Sequence, residues 1–335
     1  MAVSAVPLSG AVTGLGSLPM KDPAHAIRMI AEASPELPFW PQLPQRDEKE
    51  TMIRQGMGLL EDLMEPRANG LGFRIQPNHL NTVAHRLESA IGMLDSAHAV
   101  GFSAFESAIA GGLFPSAMAV KGQVTGPLSL CTYLYAGEQP FLTSHVLFEA
   151  VTEYVARIAQ WQIGRLVRRG HRVLLFVDEP ALSLHPSAAS HDPIPALELI
   201  FERIRKSGAL AGLHCCARNP FDLMFRAQPD ILSFDSHQWL EEFVAMPEFP
   251  DFLADGGMVA YGIVPTLGSL EGIRAEDLFD RWVNTISQME DPRLAAKQAM
   301  VTASCGLAMA TEEEALASFQ IAGGVSKLIR QLAAE

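Results

Sequence analysis

The sequence predicts a parallel α/β fold of the (β/α)8 barrel type, formed as a single domain over residues 1–335 with an insertion between its second and third strands. Three observations predict it. Eight short apolar or β-rich runs recur along the chain, and segments of helical period lie between them. The length of 335 residues falls inside the roughly 200 to over 400 that such barrels occupy as one domain.

The first run, residues 12–18, ends in Gly14-Leu15-Gly16-Ser17-Leu18-Pro19, and the second, 38–43, ends in Phe39-Trp40-Pro41-Gln42-Leu43-Pro44. The stretch from Gln45 to Ser116 is too long for one helix and carries Pro66-Arg67-Ala68-Asn69-Gly70, which predicts an extra hairpin or helix placed to act as a lid. The third run is 119–124. After it, Val146, Leu147, Ala150, Val151, Tyr154, Val155 and Ile158 recur at three and four spacing and predict one helix face. The fourth run, 172–178, leads into Asp178-Glu179-Pro180. Ser207-Gly208 closes the next helix before the fifth run, 210–215, and Asn219-Pro220 with Asp222 opens another. Runs six to eight are 230–235, 258–263 and 299–304, and Thr311 with Glu314 predicts a capping box on the last helix.

Composition narrows the function. Hydrophobic residues make up 48% and charged residues 19%, enough for a packed core and wrong for a disordered chain. A net charge of −13 opposes nucleic acid and anionic membranes as partners, which leaves a small-molecule substrate. No apolar run approaches the about 20 residues that span a bilayer, and the start lacks a secretory pattern, so a cytoplasmic protein is expected. Four cysteines are too few for a disulfide framework in a chain of this length, and the adjacent Cys215 and Cys216 would pair poorly; reduced thiols are expected.

In a (β/α)8 barrel the catalytic residues stand at the carboxyl ends of the strands, where the βα loops converge. Ser17, Gln42, Asp178, His214, Cys216, Asp235 and Cys305 all fall there. Taken singly, His214, Cys216 and Cys305 would read as ordinary buried residues. Together on one rim they predict a zinc site, because an imidazole and two thiolates suit this cation and leave a fourth position for a weak ligand or a substrate. Such a zinc would hold a substrate thiol deprotonated for attack on an activated methyl group. Zinc-hydroxide hydrolysis is the second use, more often served by histidine and carboxylate ligands.

At these residues the sequence resembles the catalytic half of the cobalamin-independent methionine synthases, in the superfamily that also holds uroporphyrinogen decarboxylase. His214-Cys215-Cys216 matches the family's His-x-Cys pair, Ser304-Cys305-Gly306-Leu307 its Asp-Cys-Gly-Leu turn, and Phe176-Val177-Asp178-Glu179-Pro180-Ala181-Leu182 its Asp-Glu-Pro-Ala-Leu motif. The resemblance spans nearly the whole chain. It implies zinc on His214, Cys216 and Cys305, and homocysteine as substrate. Gly16 and Ser17 would hold the amino-acid carboxylate, and Asp178 would act as the active-site carboxylate that binds the ammonium group.

The departures from the family are equally specific. Asp235, one methylene shorter, stands where the family has a zinc-ligating glutamate, so the ligand position falls to Asp235, a water or His237. Gln42 or Leu43 replaces an amino-acid-binding glutamate. Tyr261-Gly262-Ile263-Val264-Pro265-Thr266 lacks the histidine expected after the seventh strand to protonate a folate leaving group. The family's duplicate N-terminal barrel is missing. This pattern resembles the short core methionine synthases and implies methylcobalamin or a methylated corrinoid carrier protein as donor, with methyl-folate less favoured. The insertion, with Phe39 and Trp40, is expected to offer a face for the macrocycle or its carrier, the alternative being that Phe39 and Trp40 are plain core residues. Two alternatives are a uroporphyrinogen-decarboxylase-like enzyme, which needs a cationic cleft where only Arg46 is nearby, and a non-catalytic module that binds zinc or a corrinoid.

Overall fold

Seven strands pair in parallel in the order β1-β11-β10-β9-β8-β7-β4. They are β1 (Ala11–Val12), β4 (Val120–Thr125), β7 (Val173–Asp178), β8 (Leu210–Cys215), β9 (Ile231–Phe234), β10 (Met258–Val264) and β11 (Ala299–Ala303). Their residues are buried almost throughout, as expected for parallel strands covered by helices. The structure is a computed structural model that describes residues 8–68, 70–184, 192–218, 220–266 and 268–335.

Six of the expected strands form within one or two residues of the expected bounds. The first stops after Val12, because Gly14 and Gly16 follow and Gly16 adopts φ +128°, which a side chain rarely tolerates. The second is not a regular strand. Pro38 and Pro41 supply no N–H, so segment 38–43 makes only scattered ladder bonds. Those bonds nevertheless join the two sheet edges: Lys121 N donates to Pro38 O at 2.8 Å, Trp40 N to Lys121 O at 3.3 Å, Gln42 N to Gly16 O at 2.9 Å and Leu18 N to Gln42 O at 3.0 Å. This segment therefore takes the second strand's place in the ring.

Strand alternation divides the side chains. Leu174, Phe176, Ile231, Ala260 and Met300 form a small core apart from the main one, inside the barrel, while Val173, Leu175 and Val177 face the helices. The same alternation turns Lys121, Gln123 and Thr125 of β4 inward.

Where one extra hairpin or helix was expected, the insertion forms both kinds of element: helices Leu80–Ser89 and Val100–Ala110, and the short antiparallel strands β2 (Glu65–Pro66) and β3 (Phe73–Ile75). Asn69 lies outside the described residues. Unforeseen was a second excursion after the helix Pro127–Tyr133, where β5 (Leu134–Ala136) pairs in parallel with β3 and antiparallel with β6 (Gln139–Pro140). The Arg67 guanidinium sits 3.6 Å over the Tyr135 ring and ties the two together.

Helix 145–167 buries Leu147, Val151, Tyr154, Val155 and Ile158, but Val146 is 68% exposed and does not belong to the core face. Ser207 caps Ile194–Lys206, with Gly208 at φ +85°. Helix Phe221–Arg226 carries Asp222 in its first turn, while Asn219 lies outside the described residues. The capping box forms as expected: Glu314 N donates to Thr311 Oγ1 at 3.1 Å and Thr311 N to Glu314 Oε2 at 2.7 Å. Among the described residues no helix is long and apolar enough to cross a membrane.

Candidate active site at the barrel mouth

β8 turns His214 toward the barrel interior and Cys215 outward into the core, and Cys216 follows in the loop. Cys305 follows β11. The Cys216 and Cys305 sulfurs stand 3.5 Å apart as free thiols. Their contact holds one proton on Cys216, whose thiol is pushed up, and draws Cys305 down to about 7. Burial pushes Cys215 up to about 12. His214 Nδ1 lies 3.0 Å from Ser233 Oγ, leaving Nε2 for a ligand, and burial aided by the Lys121 charge pulls the imidazole down to about 3. It is therefore neutral, the form that binds metals. As the side chains stand, no group of three or more His, Cys, Asp or Glu among the described residues is set to hold a metal ion.

Asp235 has a structural task. It N-caps the helix Ser236–Val244, accepting from Gln238 N at 3.0 Å, and its second oxygen accepts from Gln238 Nε2 at 2.6 Å. His237, in the first turn of that helix, has a buried Nδ1 without a hydrogen-bond partner. Asp235, His237, Gln238, Pro265, Thr266 and Ser304 line a cavity of about 280 Å³.

The Asp178-Glu179 pair splits its roles. Glu179 is fully buried and accepts from Leu128 N (2.9 Å), Ser129 N (2.8 Å) and Ser129 Oγ (2.6 Å), anchoring the N-terminus of helix Pro127–Tyr133. Asp178 pairs in register with Thr125 and His214, and its Oδ1 is buried without a partner. Burial raises its carboxyl to about 7 against the opposing pull of Lys121. Lys121 itself is drawn down to about 8 by burial.

Ser17 and Gly16 reach the same mouth. Leu307 N donates to Ser17 O at 2.9 Å, and a Cβ on Gly306 would stand 3.1 Å from the Ser17 Cβ, so the loops of the first and eighth strands touch. Gln42 is an interior support: its Oε1 accepts from Ser17 Oγ (3.1 Å), and its Nε2 donates to Gln55 Oε1 (2.6 Å). Phe39 and Trp40 do not form a rim face, contrary to expectation. Both are fully buried: Phe39 stacks on Phe319 of the last helix, while Trp40, its Nε1 bonded to Gln162 Oε1, packs edge-on against Phe102 of the inserted helix Val100–Ala110. Arg46 is paired with the buried Glu50 at 3.3 Å. Sequence reasoning missed Lys121, Gln123 and Ser233. The available signal was the polar alternation Lys121, Gln123, Thr125 in an otherwise apolar strand.

No family model matches the chain, and no curated protein matches it by sequence. Among solved structures, a methyltransferase from Methanosarcina mazei is similar over 96% of this chain and 93% of that one, with a TM-score of 0.50 and 11% identity. The barrel fold is shared. A B12-independent methionine synthase from Shewanella sp. W3-18-1, in complex with selenomethionine, is similar over 64% of this chain, with a TM-score of 0.45 and 15% identity; the match spans 62% of that chain's length. A GH113 β-1,4-mannanase is similar with a TM-score of 0.41 and 10% identity over 70% of this chain and 79% of its own. The barrel supports many chemistries, so function rests on the site.

Proposed function

We propose that this chain is a zinc-dependent thiol S-methyltransferase that methylates homocysteine with a methylated corrinoid, free or on a carrier protein, as donor. One observation carries the reading: Cys216 and Cys305, 89 residues apart in sequence, bring their sulfurs to 3.5 Å, and His214, two residues before Cys216 at the same strand end, is neutral. Two thiolates about 2.3 Å from one tetrahedral zinc would stand about 3.8 Å apart, so the pair fits the ion with little movement. His214, Cys216 and Cys305 would hold it, with Asp235 or His237 as fourth donor. Bound zinc supplies an ionised substrate thiol at neutral pH. Asp178 Oδ1, buried and unpartnered, is suited to accept from the substrate ammonium, and Ser17 with Gly16 to receive the carboxylate. The cavity of about 280 Å³ lined by Asp235, His237 and Ser304, next to Cys305 in sequence, is too small for a corrinoid, which would stand over the mouth. A second groove of about 540 Å³, lined by Met52, Ile53, Phe73, Tyr133 and Pro180 among others, offers such a face in place of Phe39 and Trp40.

Methyl transfer from cobalt needs no acid, whereas a folate amine leaves only when protonated. One observation favours methyl-folate as a second reading: His237, whose buried Nδ1 has no hydrogen-bond partner, lines the cavity that Pro265 and Thr266 also line. The test is methionine formation from homocysteine by zinc-loaded protein, with methylcobalamin and methyl-folate assayed in parallel. Turnover with methylcobalamin alone is expected. Turnover with methyl-folate that His237→Asn abolishes would establish the second reading, and no turnover with either would sink both.

A further inference from the structure

Lys121 is the one lysine or arginine that is fully buried among the described residues. It lies inside the barrel, its ammonium 4.8 Å above the Phe176 ring. Its bonds are long, 3.3 Å to Gln123 Oε1 and 3.4 Å to Leu15 O, and among the described residues no carboxylate is in ion-pair contact with it. Burying an ammonium so weakly held is costly unless other charges gain from it. Two neighbours stand to gain. Leu15 begins the Leu15-Gly16-Ser17 turn, and Asp178, whose Oδ1 is buried and unpartnered, follows Phe176 by two residues on the same inward face of β7, so it is the next carboxylate above the ring over which the ammonium stands.

We propose that Lys121 is a positioning residue for an α-amino-acid acceptor: from beneath the barrel mouth its ammonium fixes the Leu15 carbonyl, and so the Ser17 loop, and balances the charge of Asp178, which receives the acceptor's ammonium. Lys121 has no exposed surface and so acts through these two groups without touching the ligand. The inference rests on the amino-acid reading of the site given above. It adds that selection for the amine depends on a charge one layer deeper than the binding residues.

Calorimetric titration of the zinc-loaded protein with L-methionine and with 4-(methylthio)butanoic acid, which lacks only the amine, tests it. Wild type is expected to bind L-methionine at least tenfold more tightly. Lys121→Met should reduce that preference to less than threefold, Lys121→Arg should restore it, and Lys121→Met in an Asp178→Asn background should change nothing further. Lys121→Gln keeps a donor for Leu15 O without the charge and makes the same comparison should the methionine variant fold poorly. Equal weakening of both ligands, or an intact preference in either uncharged variant, would overturn the proposal and make Lys121 merely structural. Binding of both ligands by wild type without preference would also overturn it while leaving thiol methylation standing. Binding of neither would overturn the amino-acid reading and this inference together.

Discussion

Adjacent in sequence, Cys215 and Cys216 have opposite surroundings, because one residue of strand advance reverses the side chain. Cys215 is sealed in the core, while Cys216 meets Cys305. The two thiols of that pair cannot ionise independently, and the lowered one, Cys305, is thiolate above about pH 7 and thiol below it. In metal-free protein, alkylation of Cys305 by iodoacetamide, followed by peptide mass spectrometry, should therefore rise to half its maximum near pH 7. Cys216→Ala removes the contact that lowers Cys305, so the midpoint should move upward toward the ordinary thiol range. An unmoved midpoint would mean that the pairing does not act on Cys305.

The element that most depends on its neighbours is segment 38–43. Two prolines, Pro38 and Pro41, deprive it of a regular ladder, and the helix Val100–Ala110 of the insertion presses on it from outside. Contact is closest at Gly101, where a Cβ would stand only 1.8 Å from the Pro41 carbonyl oxygen, a backbone atom that cannot swing aside. Gly101→Ala should lower stability by about 1–3 kcal/mol, the range for overpacking a tight interior, measured by urea denaturation. Gly112→Ala is a poor control because Gly112 has φ +75°. Gly323→Ala, in the last helix with open space at its Cβ, should be neutral or slightly stabilising. Equal stability of the Gly101 variant and wild type would mean that the insertion does not seat on this segment as described.

At the scale of the whole molecule, the proposed ligands come from the ends of strands far apart in sequence, so binding would tie β8 to β11 across the barrel mouth. A ligand that binds only the folded state stabilises it by RT ln(1 + [L]/Kd), about 4 kcal/mol at a free concentration a thousandfold above Kd. Zinc added to chelator-treated protein should raise Tm in wild type and in Cys215→Ala. It should leave Tm unchanged in Cys216→Ala and Cys305→Ala. A uniform response across the four proteins, by differential scanning calorimetry, would place any zinc elsewhere.

What the sequence determined by itself is what neighbours along the chain decide. Strands β4 and β7 to β11 were legible because parallel strands covered on both faces are written as short apolar runs, and the Thr311–Glu314 box because both partners lie within one turn. The placement of Asp178, His214, Cys216 and Cys305 on one rim followed from the barrel, since carboxyl ends of parallel strands open on one side. Only the tertiary structure decided which of these groups are free. Gln42 and Glu179 bond inward and Asp235 caps its helix, whereas Asp178 keeps an unpartnered oxygen and Lys121 lies beneath the mouth. The physical reason is that a side chain's hydrogen bonds, burial and charge partners come from strands brought alongside by ring closure, and local periodicity tells which face a residue takes but not what it meets there.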